Sequence, residues 1–265
     1  MTFKMKYSMR QDILPKGTKR YSGTKNLGVK FVVLHDTGNP NSTAQANVTY
    51  YKNSANTMSA SAHVFIDDKE IIICIPLNHK AWHVLYNVKT DNAAFGGDAN
   101  DIAIGVELCY FPKDKARTLE AYKKYVWFNA WLAYEYKLNP HKSFIGHHKL
   151  DPGRKIDPVS ALKVIGKTYE NLLQDIVDEY MECTIEDKKI VAPSPTPNKP
   201  NKEEIKMFKP SSGTILKETV EALKKMEAGE NGISEKWRLQ LMNNELSESD
   251  AIGLLFVAIV RGFYK

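Results

Sequence analysis

A proline-rich segment divides this chain of 265 residues into two parts of unequal length. Four of the 12 prolines lie between Pro193 and Pro200, within the segment APSPTPNKPNKEE. Proline fixes φ and has no backbone N–H, so this segment favours an extended polyproline II conformation over a helix or a strand. We therefore predict a large domain over residues 1–186, a linker over residues 187–206 and a small module over residues 207–265.

The composition excludes several classes of protein. Hydrophobic residues make up 43% of the chain and charged residues 26%, which is typical of a globular protein and argues against a disordered or membrane protein. Three cysteines are too few for a disulfide scaffold, and we expect reduced thiols. The net charge of +6 resides in residues 1–206. It suits an anionic partner such as nucleic acid, a wall polymer or a membrane surface, without choosing among them.

The large domain alternates between strand and helix patterns. The predicted strands are Lys30–Asp36, Ala62–Asp67, Glu70–Pro76 and Ile102–Tyr110. The predicted helices are Thr43–Lys52, Thr118–Tyr136 and a segment from Asp157 to about Met181. The second and third strands are expected to form a hairpin across Asp67-Asp68-Lys69. This alternation predicts an α/β domain with a central mixed β-sheet flanked by helices.

The small module shows only helical periodicity. Leu216, Val220, Leu223 and Met226 repeat at helical spacing. Ser234 is expected to cap a second helix that contains Trp237 and Leu241, and a third helix is expected over Ala251–Arg261. These patterns predict an all-helical module.

Residue types that bind metals occur at two distant points of the large domain. His35 ends a predicted strand. The segment FIGHHKLDPGRKIDP contains His147, His148 and Asp157. A catalytic zinc site uses three protein ligands and leaves one position open, and His35, His147 and Asp157 would supply such a set. Spacing alone leaves alternatives open, because a strand-end histidine is often a core residue and Asp-Pro is a common helix start.

Five motifs in one order give a resemblance to a known family. They are VVLHDTG, SASAHVFIDDKEIIICIP, AWH, IAIGVEL and GHHKLDPGRKIDP. Together they resemble the type-2 N-acetylmuramoyl-L-alanine amidases, a family that includes phage endolysins, bacterial amidases and peptidoglycan recognition proteins. The resemblance covers about residues 25–180. It implies Zn²⁺ bound by His35, His147 and Asp157, and the ten-residue step to Asp157 fits His147 better than His148.

The same resemblance implies roles for further residues. Glu107 and Lys155 correspond to catalytic positions, as general acid–base and as stabiliser of the oxyanion. A carboxylate within the apolar strand IAIGVEL should have a raised pKa if it is buried. The residues implied to contact substrate are His63, Trp82 and His83, and His63 has the alternative of supporting the cleft from behind without being a metal ligand. Each position also has an ordinary structural interpretation, as an outward-facing strand residue, a solvated lysine or a packed core side chain.

The implied activity is zinc-dependent hydrolysis of the amide bond between N-acetylmuramic acid and L-alanine in bacterial peptidoglycan. The alternatives are a non-catalytic peptidoglycan-binding module and a cytosolic amidase of cell-wall recycling. The basic N-terminal residues contain no apolar core, so we expect no secretory signal peptide. The linker and the module then favour a modular endolysin that is made in the cytoplasm and reaches the wall after holin-type release.

The expected partners are peptidoglycan and anionic wall polymers, with no nucleic acid and no membrane insertion. The longest apolar run, Ala251–Val260, is about half as long as a transmembrane helix. The small module is expected to bind the cell wall or to form homo-oligomers through that run. With about 60 residues it is near the lower limit for an independent core.

Overall fold

The computed structural model of the protein describes residues 2–185, 213–228, 233–243, 245–247 and 251–254. The chain divides into two compact units, Met1–Ile190 and Val191–Lys265. The linker predicted for residues 187–206 lies outside the described residues, although the boundary between the two units falls within it. Its exact boundaries therefore stay a prediction.

The first unit is built on a central mixed β-sheet, as the sequence predicted. In chain order its strands are β1 (Thr2–Phe3), β2 (Arg10–Gln11), β3 (Phe31–Asp36), β4 (Val64–Ile66), β5 (Ile71–Ile73), β6 (Ala103–Leu108), β7 (Phe144–Gly146) and β8 (Thr184–Ile185). Six of them form one sheet in the order β2-β5-β4-β6-β3-β7. Only the β4–β5 hairpin is antiparallel in this sheet, while β1 and β8 form a separate antiparallel pair.

Helices cover both faces of the sheet. They are α1 (Ala44–Asn53), α2 (Lys89–Phe95), α3 (Ala99–Ile102), α4 (Lys115–Glu135), α5 (His147–Leu150), α6 (Val159–Ile165) and α7 (Tyr169–Cys183). On one face Val32 and Leu34 of β3 pack in a core with Trp127 and Phe128 of α4. On the other face, Phe31 belongs to a smaller core that includes residues of α3 and α5. Because successive strand side chains point to opposite faces, β3 is buried along its whole length.

The predicted helix from Asp157 to about Met181 is two helices. It is interrupted at Gly166, whose φ of 73° lies in the left-handed region that favours glycine. The helix α7 then begins at a capping box in which Thr168 and Asn171 exchange hydrogen bonds between side chain and backbone. The alternative interpretation of Asp157 as the start of the first of these helices does not hold, since Pro158 is the cap residue and no side chain caps α6.

The second unit contains the helices α8 (Gly213–Ala228) and α9 (Lys236–Met242). Leu223, Met226, Leu241 and Leu246 are buried together, and Trp237 packs against them. The Ser234 hydroxyl accepts a hydrogen bond from the backbone N–H of Lys236 at 3.3 Å, near the predicted cap position. Residues 251–254 are helical, and the rest of the predicted third helix lies outside the described residues.

No helix within the described ranges combines the length and the apolar character that crossing a membrane requires. The three cysteines, Cys74, Cys109 and Cys183, are buried free thiols.

Candidate metal centre

Three parallel strands bring the predicted site residues to one edge of the sheet. In the register of β3 and β6, His35 lies directly beside Glu107. The strand β7 pairs with the other side of β3 and ends at Gly146, so His147 follows it immediately. Since the carboxyl ends of parallel strands meet at the same edge, residues far apart in the sequence become neighbours there.

The nitrogens of two histidines converge on one carboxylate oxygen. The Nδ1 atom of His35 lies 2.9 Å from Oδ2 of Asp157, and Nδ1 of His147 lies 3.0 Å from the same oxygen. The ligand atoms of these three residues all lie within 4.8 Å of one another. Both histidines are only 2% exposed. The three side chains are thus arranged so that they could hold one metal ion.

Burial and mutual contacts set the charges of this group. Burial lowers the pKa of His35 to about 4, although the hydrogen bond to Asp157 opposes that shift. Burial alone would raise the pKa of Asp157, but its hydrogen bonds to His147 and His35 hold that pKa well below the usual value. At neutral pH a neutral His35 therefore faces an ionised Asp157, which are the protonation states that metal ligands need.

Backbone hydrogen bonds within the segment from His147 to Asp157 fold it into a loop that brings its two ends together. The N–H of His148 donates to the carbonyl oxygen of Asp157 at 3.1 Å, and the N–H of Lys155 donates to Asp151 at 3.1 Å. The Nδ1 atom of His148 also contacts the Asp157 carbonyl at 3.1 Å, and its ring packs edge-on against Tyr169. The structure therefore brings His147 to the carboxylate of Asp157, whereas His148 contacts only the backbone carbonyl of that residue.

A pocket of about 480 Å³ opens onto this group. Glu107 and Lys155, the two predicted catalytic residues, both line it. One carboxylate oxygen of Glu107, Oε2, is buried and has no hydrogen-bond partner within the described part of the chain. Burial raises the pKa of Glu107 well above 4.5, and the neighbouring carboxylates of Asp157 and Asp36 raise it further.

The three residues predicted to contact substrate differ in position. Trp82 and His83 line the pocket. His63 is fully buried and does not line the pocket, a position that suits a supporting role beneath the pocket better than direct contact with substrate. Its Nε2 atom lies 2.9 Å from the carbonyl oxygen of His79, and its Nδ1 accepts from the N–H of Gly105 at 3.0 Å. Both ring nitrogens of His63 form hydrogen bonds with backbone groups, so the side chain holds together two segments that lie behind the pocket.

Sequence reasoning missed Asp36, which lines the pocket and is 5% exposed. Its carboxylate accepts from the backbone N–H of Gly38 and, across 125 residues of sequence, from that of Ala161 in α6, each at 3.1 Å. Asp36 thereby ties the end of β3 to the helix that follows Asp157. The sequence feature that could have identified Asp36 is its position at the end of β3, directly after the predicted ligand His35.

Other pocket residues also went unnoticed in the sequence. They include Tyr51, Tyr110 and Ile156. The hydroxyl of Tyr125 contacts the carbonyl oxygens of His35 and Val106, each at 3.2 Å, and so holds the ends of β3 and β6 together. None of these aromatic residues stands in a distinctive pattern, because aromatic side chains at such positions are usually core residues.

Comparisons with a family model and with curated proteins both point to the N-acetylmuramoyl-L-alanine amidases. The sequence model of the Amidase_2 family, described as N-acetylmuramoyl-L-alanine amidase, matches residues 25–160. The chain is similar to the N-acetylmuramoyl-L-alanine amidase CwlA of Bacillus subtilis (strain 168), with 32% identity over 156 residues, or 54% of each chain. It is also similar to the amidase BlyA of the same organism, with 40% identity over 95 residues, or 33% of this chain and 25% of BlyA. The matches thus span between a quarter and about half of these curated relatives.

Solved structures share the fold. The structure of PlyL aligns with a TM-score of 0.51 and 24% identity, covering 64% of this chain and 97% of PlyL. The solution structure of the PlyG catalytic domain aligns with a TM-score of 0.52 and 23% identity, covering 72% of this chain and all of that domain. At this level of identity the likeness concerns the fold of the first unit alone.

Proposed function

Because this chain belongs to the N-acetylmuramoyl-L-alanine amidase family, we propose that it hydrolyses the amide bond between N-acetylmuramic acid and L-alanine in bacterial peptidoglycan, with Zn²⁺ as cofactor. One observation carries the proposal. His35, His147 and Asp157 come from separate parts of the chain and present their ligand atoms within 4.8 Å of one another, at the base of an open pocket.

The donor set fits zinc. Two imidazole nitrogens and one carboxylate oxygen are ligands that zinc commonly uses, and three protein ligands leave a coordination position free for chemistry. Zinc held there would polarise a carbonyl group and acidify water.

Glu107 is suited to carry the proton of the reaction. Its pKa is raised by burial, so its carboxyl group exchanges a proton more readily near neutral pH than an exposed carboxylate does. In our proposal the carboxylate of Glu107 takes a proton from the attacking water and then gives it to the amide nitrogen of the leaving L-alanine. The carbonyl carbon of the lactyl group gains the hydroxyl oxygen, the C–N bond breaks, and a carboxylic acid and an amine result.

Lys155 supplies positive charge to the same pocket. Within the described ranges its ammonium group forms no ion pair, whereas the neighbouring Arg154 is paired with Asp151. An unpaired cation is available to stabilise the negative charge that develops on the carbonyl oxygen as the amide is attacked. We propose this role for Lys155, and contact with the bound glycopeptide for Trp82 and His83.

The products of wall digestion test the proposal directly. Purified peptidoglycan is incubated with the full chain, and new N-terminal alanine and new reducing sugar are both measured. The amidase reaction releases N-terminal alanine and no reducing sugar. Chelation should abolish the release and added zinc should restore it.

Two results would overturn the proposal. New reducing sugar without new N-terminal alanine would indicate cleavage of the glycan. Wall binding without any cleavage, in a protein that retains zinc, would indicate a recognition module that does not cut.

We further propose that the protein acts in host cell lysis as an endolysin. The helical second unit, with its own buried cluster around Leu223 and Leu241, suits an appended module. The proposed partner is peptidoglycan, with anionic wall polymers attracted by the basic surplus of residues 1–206. Homo-oligomer formation through the second unit is the competing role for that module.

A further inference from the structure

The second ring nitrogen of His35 has an unusual partner. While Nδ1 faces Asp157, Nε2 lies 3.1 Å from Nδ1 of His83, and the two rings are perpendicular at 5.3 Å between centroids. A neutral imidazole has one N–H and one lone pair. The group that meets Nε2 of His35 therefore decides which nitrogen carries the proton and which offers a lone pair.

Contacts with Gly105 and Asn100 fix the position of the His83 ring. It lies against Gly105 of β6, where an added Cβ atom would come within 2.5 Å of Cγ of His83. The side-chain oxygen of Asn100 accepts from the backbone N–H groups of His83 and Val84, at 2.9 and 3.1 Å. Only glycine at position 105 leaves room for the ring, and the Asn100 contacts prevent the segment from lifting away.

His63 does not compete for this contact. Its ring meets that of His83 edge-on at 5.6 Å between centroids, and both of its nitrogens are occupied by backbone groups. The Nε2 atom of His83 is buried without a hydrogen-bond partner among the described residues. Besides its contact with His35, the His83 ring interacts with the backbone of Ala99.

We propose that His83 is a positioning residue for the metal ligand His35. In this arrangement Nδ1 of His83 accepts the Nε2–H of His35, which leaves the lone pair of His35 on Nδ1. That atom then points to the place where Nδ1 of His147 and Oδ2 of Asp157 converge. The inference rests on the proposed metal role of His35.

This assignment differs from a purely substrate-contacting role for His83. Ligating histidines usually donate their second N–H to a carboxylate or a backbone carbonyl, which orients the ring and fixes its tautomer. Here a second imidazole, 8% exposed, occupies that place. Its loss should weaken metal binding in the absence of any substrate.

Zinc affinity of the purified full chain tests the inference. It is measured at pH 7.5 by competition with a chromophoric chelator, for the wild type, His83→Leu and His83→Asn. His83→Leu removes the acceptor and should weaken zinc binding by about 10–100-fold. His83→Asn offers an amide oxygen near the position of Nδ1 and should stay within about threefold of the wild type.

Two controls separate positioning from general damage. The melting temperature of each metal-free variant reports folding, and Tyr86→Phe, in the same loop but 46% exposed, should keep wild-type zinc affinity. If His83→Leu does not fold, His83→Phe keeps a flat ring without an acceptor and takes its place. Gly105→Ala, which displaces the His83 ring, should also weaken zinc binding although residue 105 touches no ligand atom.

The outcomes are distinct. Folded His83→Leu or His83→Phe that binds zinc as tightly as the wild type overturns this inference and leaves the proposed function intact. The inference is also overturned if folded His83→Asn loses as much zinc affinity as His83→Leu. Loss of the hydrogen bond to His35 would then not explain the weaker zinc binding. A wild-type chain that binds no zinc overturns the proposed function, and this inference with it.

Discussion

His35 and Asp157 are separated by 122 residues in sequence, yet Nδ1 of the histidine lies 2.9 Å from Oδ2 of the aspartate. The contact joins the end of a central strand to a loop that follows the sheet's edge strand. Because His147 reaches the same oxygen, the carboxylate of Asp157 is the common point of the group. A change at any of the three positions should therefore affect the other two.

Substituting His35, His147 or Asp157 by alanine should remove zinc and nearly all activity. Each change leaves two protein ligands, which is too few for a stable zinc site. Metal content of the dialysed protein and release of N-terminal alanine measure the two effects.

His148→Ala is the matched control for the metal ligands. Its ring contacts Tyr169 and the backbone carbonyl of Asp157 but supplies none of the three ligand atoms, so zinc should be retained and activity should fall far less than in His147→Ala. An inactive His148→Ala together with an active, zinc-containing His147→Ala would show that the ligand assignment is wrong.

Glu107→Gln and Lys155→Ala should keep zinc and the fold but lower turnover by about 10²–10⁴-fold. This is the usual contribution of a general acid–base group or of one oxyanion-stabilising group. Turnover is measured on a soluble muropeptide, so that wall binding does not enter. Glu120→Gln and Lys149→Ala, both at exposed positions, are the controls. Turnover near the wild-type value in either test variant would remove that residue from the mechanism.

Asp91→Asn should stabilise the protein at alkaline pH. Asp91 is fully buried in α2, and within the described residues its carboxylate interacts only with the backbone N–H groups of Ala99 and of Asp91 itself, neither in good hydrogen-bond geometry. Burial raises the pKa of this carboxyl to about 7, and the nearby carboxylates of Asp98 and Asp151 add to the shift. Between the unfolded pKa of 3.8 and about 7 the unfolded chain loses this proton first, so rising pH favours unfolding.

The expected gain is about 1–2 kcal/mol in the free energy of unfolding at pH 7.5, because asparagine has no proton to lose and so removes the cost of a carboxyl whose folded pKa lies above its unfolded pKa. It should shrink towards zero below about pH 3, where both states hold the proton. Urea denaturation at several pH values measures it, with exposed Asp178→Asn as control. A loss of stability at every pH would mean that the carboxylate makes a contact the fold needs.

Residues 1–191 alone should fold, bind zinc and cleave soluble muropeptide at close to the full-length rate. The reason is that the site and both main cores lie within the unit Met1–Ile190. On whole cell walls the same truncation should act more slowly, because a tethered binding module raises the local enzyme concentration. Both rates are compared at about 0.15 M salt and above, where basic residues hold the domain on anionic polymers less strongly.

Residues 207–265 are tested separately by sedimentation with cell walls. Binding without cleavage is expected for a targeting module. A module that binds no walls, but whose removal turns a multimer into a monomer, would contradict targeting and support the role in assembly.

Local patterns in the sequence were sufficient for several parts of the molecule. The β-branched runs around Val33 and Val106 predicted buried strands within one residue or two of their observed bounds. The family motifs also pointed to His35, His147 and Asp157 before any geometry was known. Such features depend on residue type, spacing and side-chain period, all of which can be read along a single segment.

Other parts depended on contacts between distant segments. The full burial of His63 and the link from Asp36 to Ala161 follow from the strand order of the sheet and from the helices packed on it. Neither has a local signal. The break at Gly166 was visible in the sequence but competed with a helical pattern on both sides.

The sequence by itself determined which residue types were available for metal binding and proton transfer, and which segments form strands. Only the tertiary structure decided that His35 lies beside Glu107, that Nδ1 rather than Nε2 of His35 faces Asp157, and that His83 meets the other nitrogen. The physical reason is that strand register and ring orientation are set by packing across the whole sheet. A side chain's chemistry is local, whereas its direction depends on every element that surrounds it.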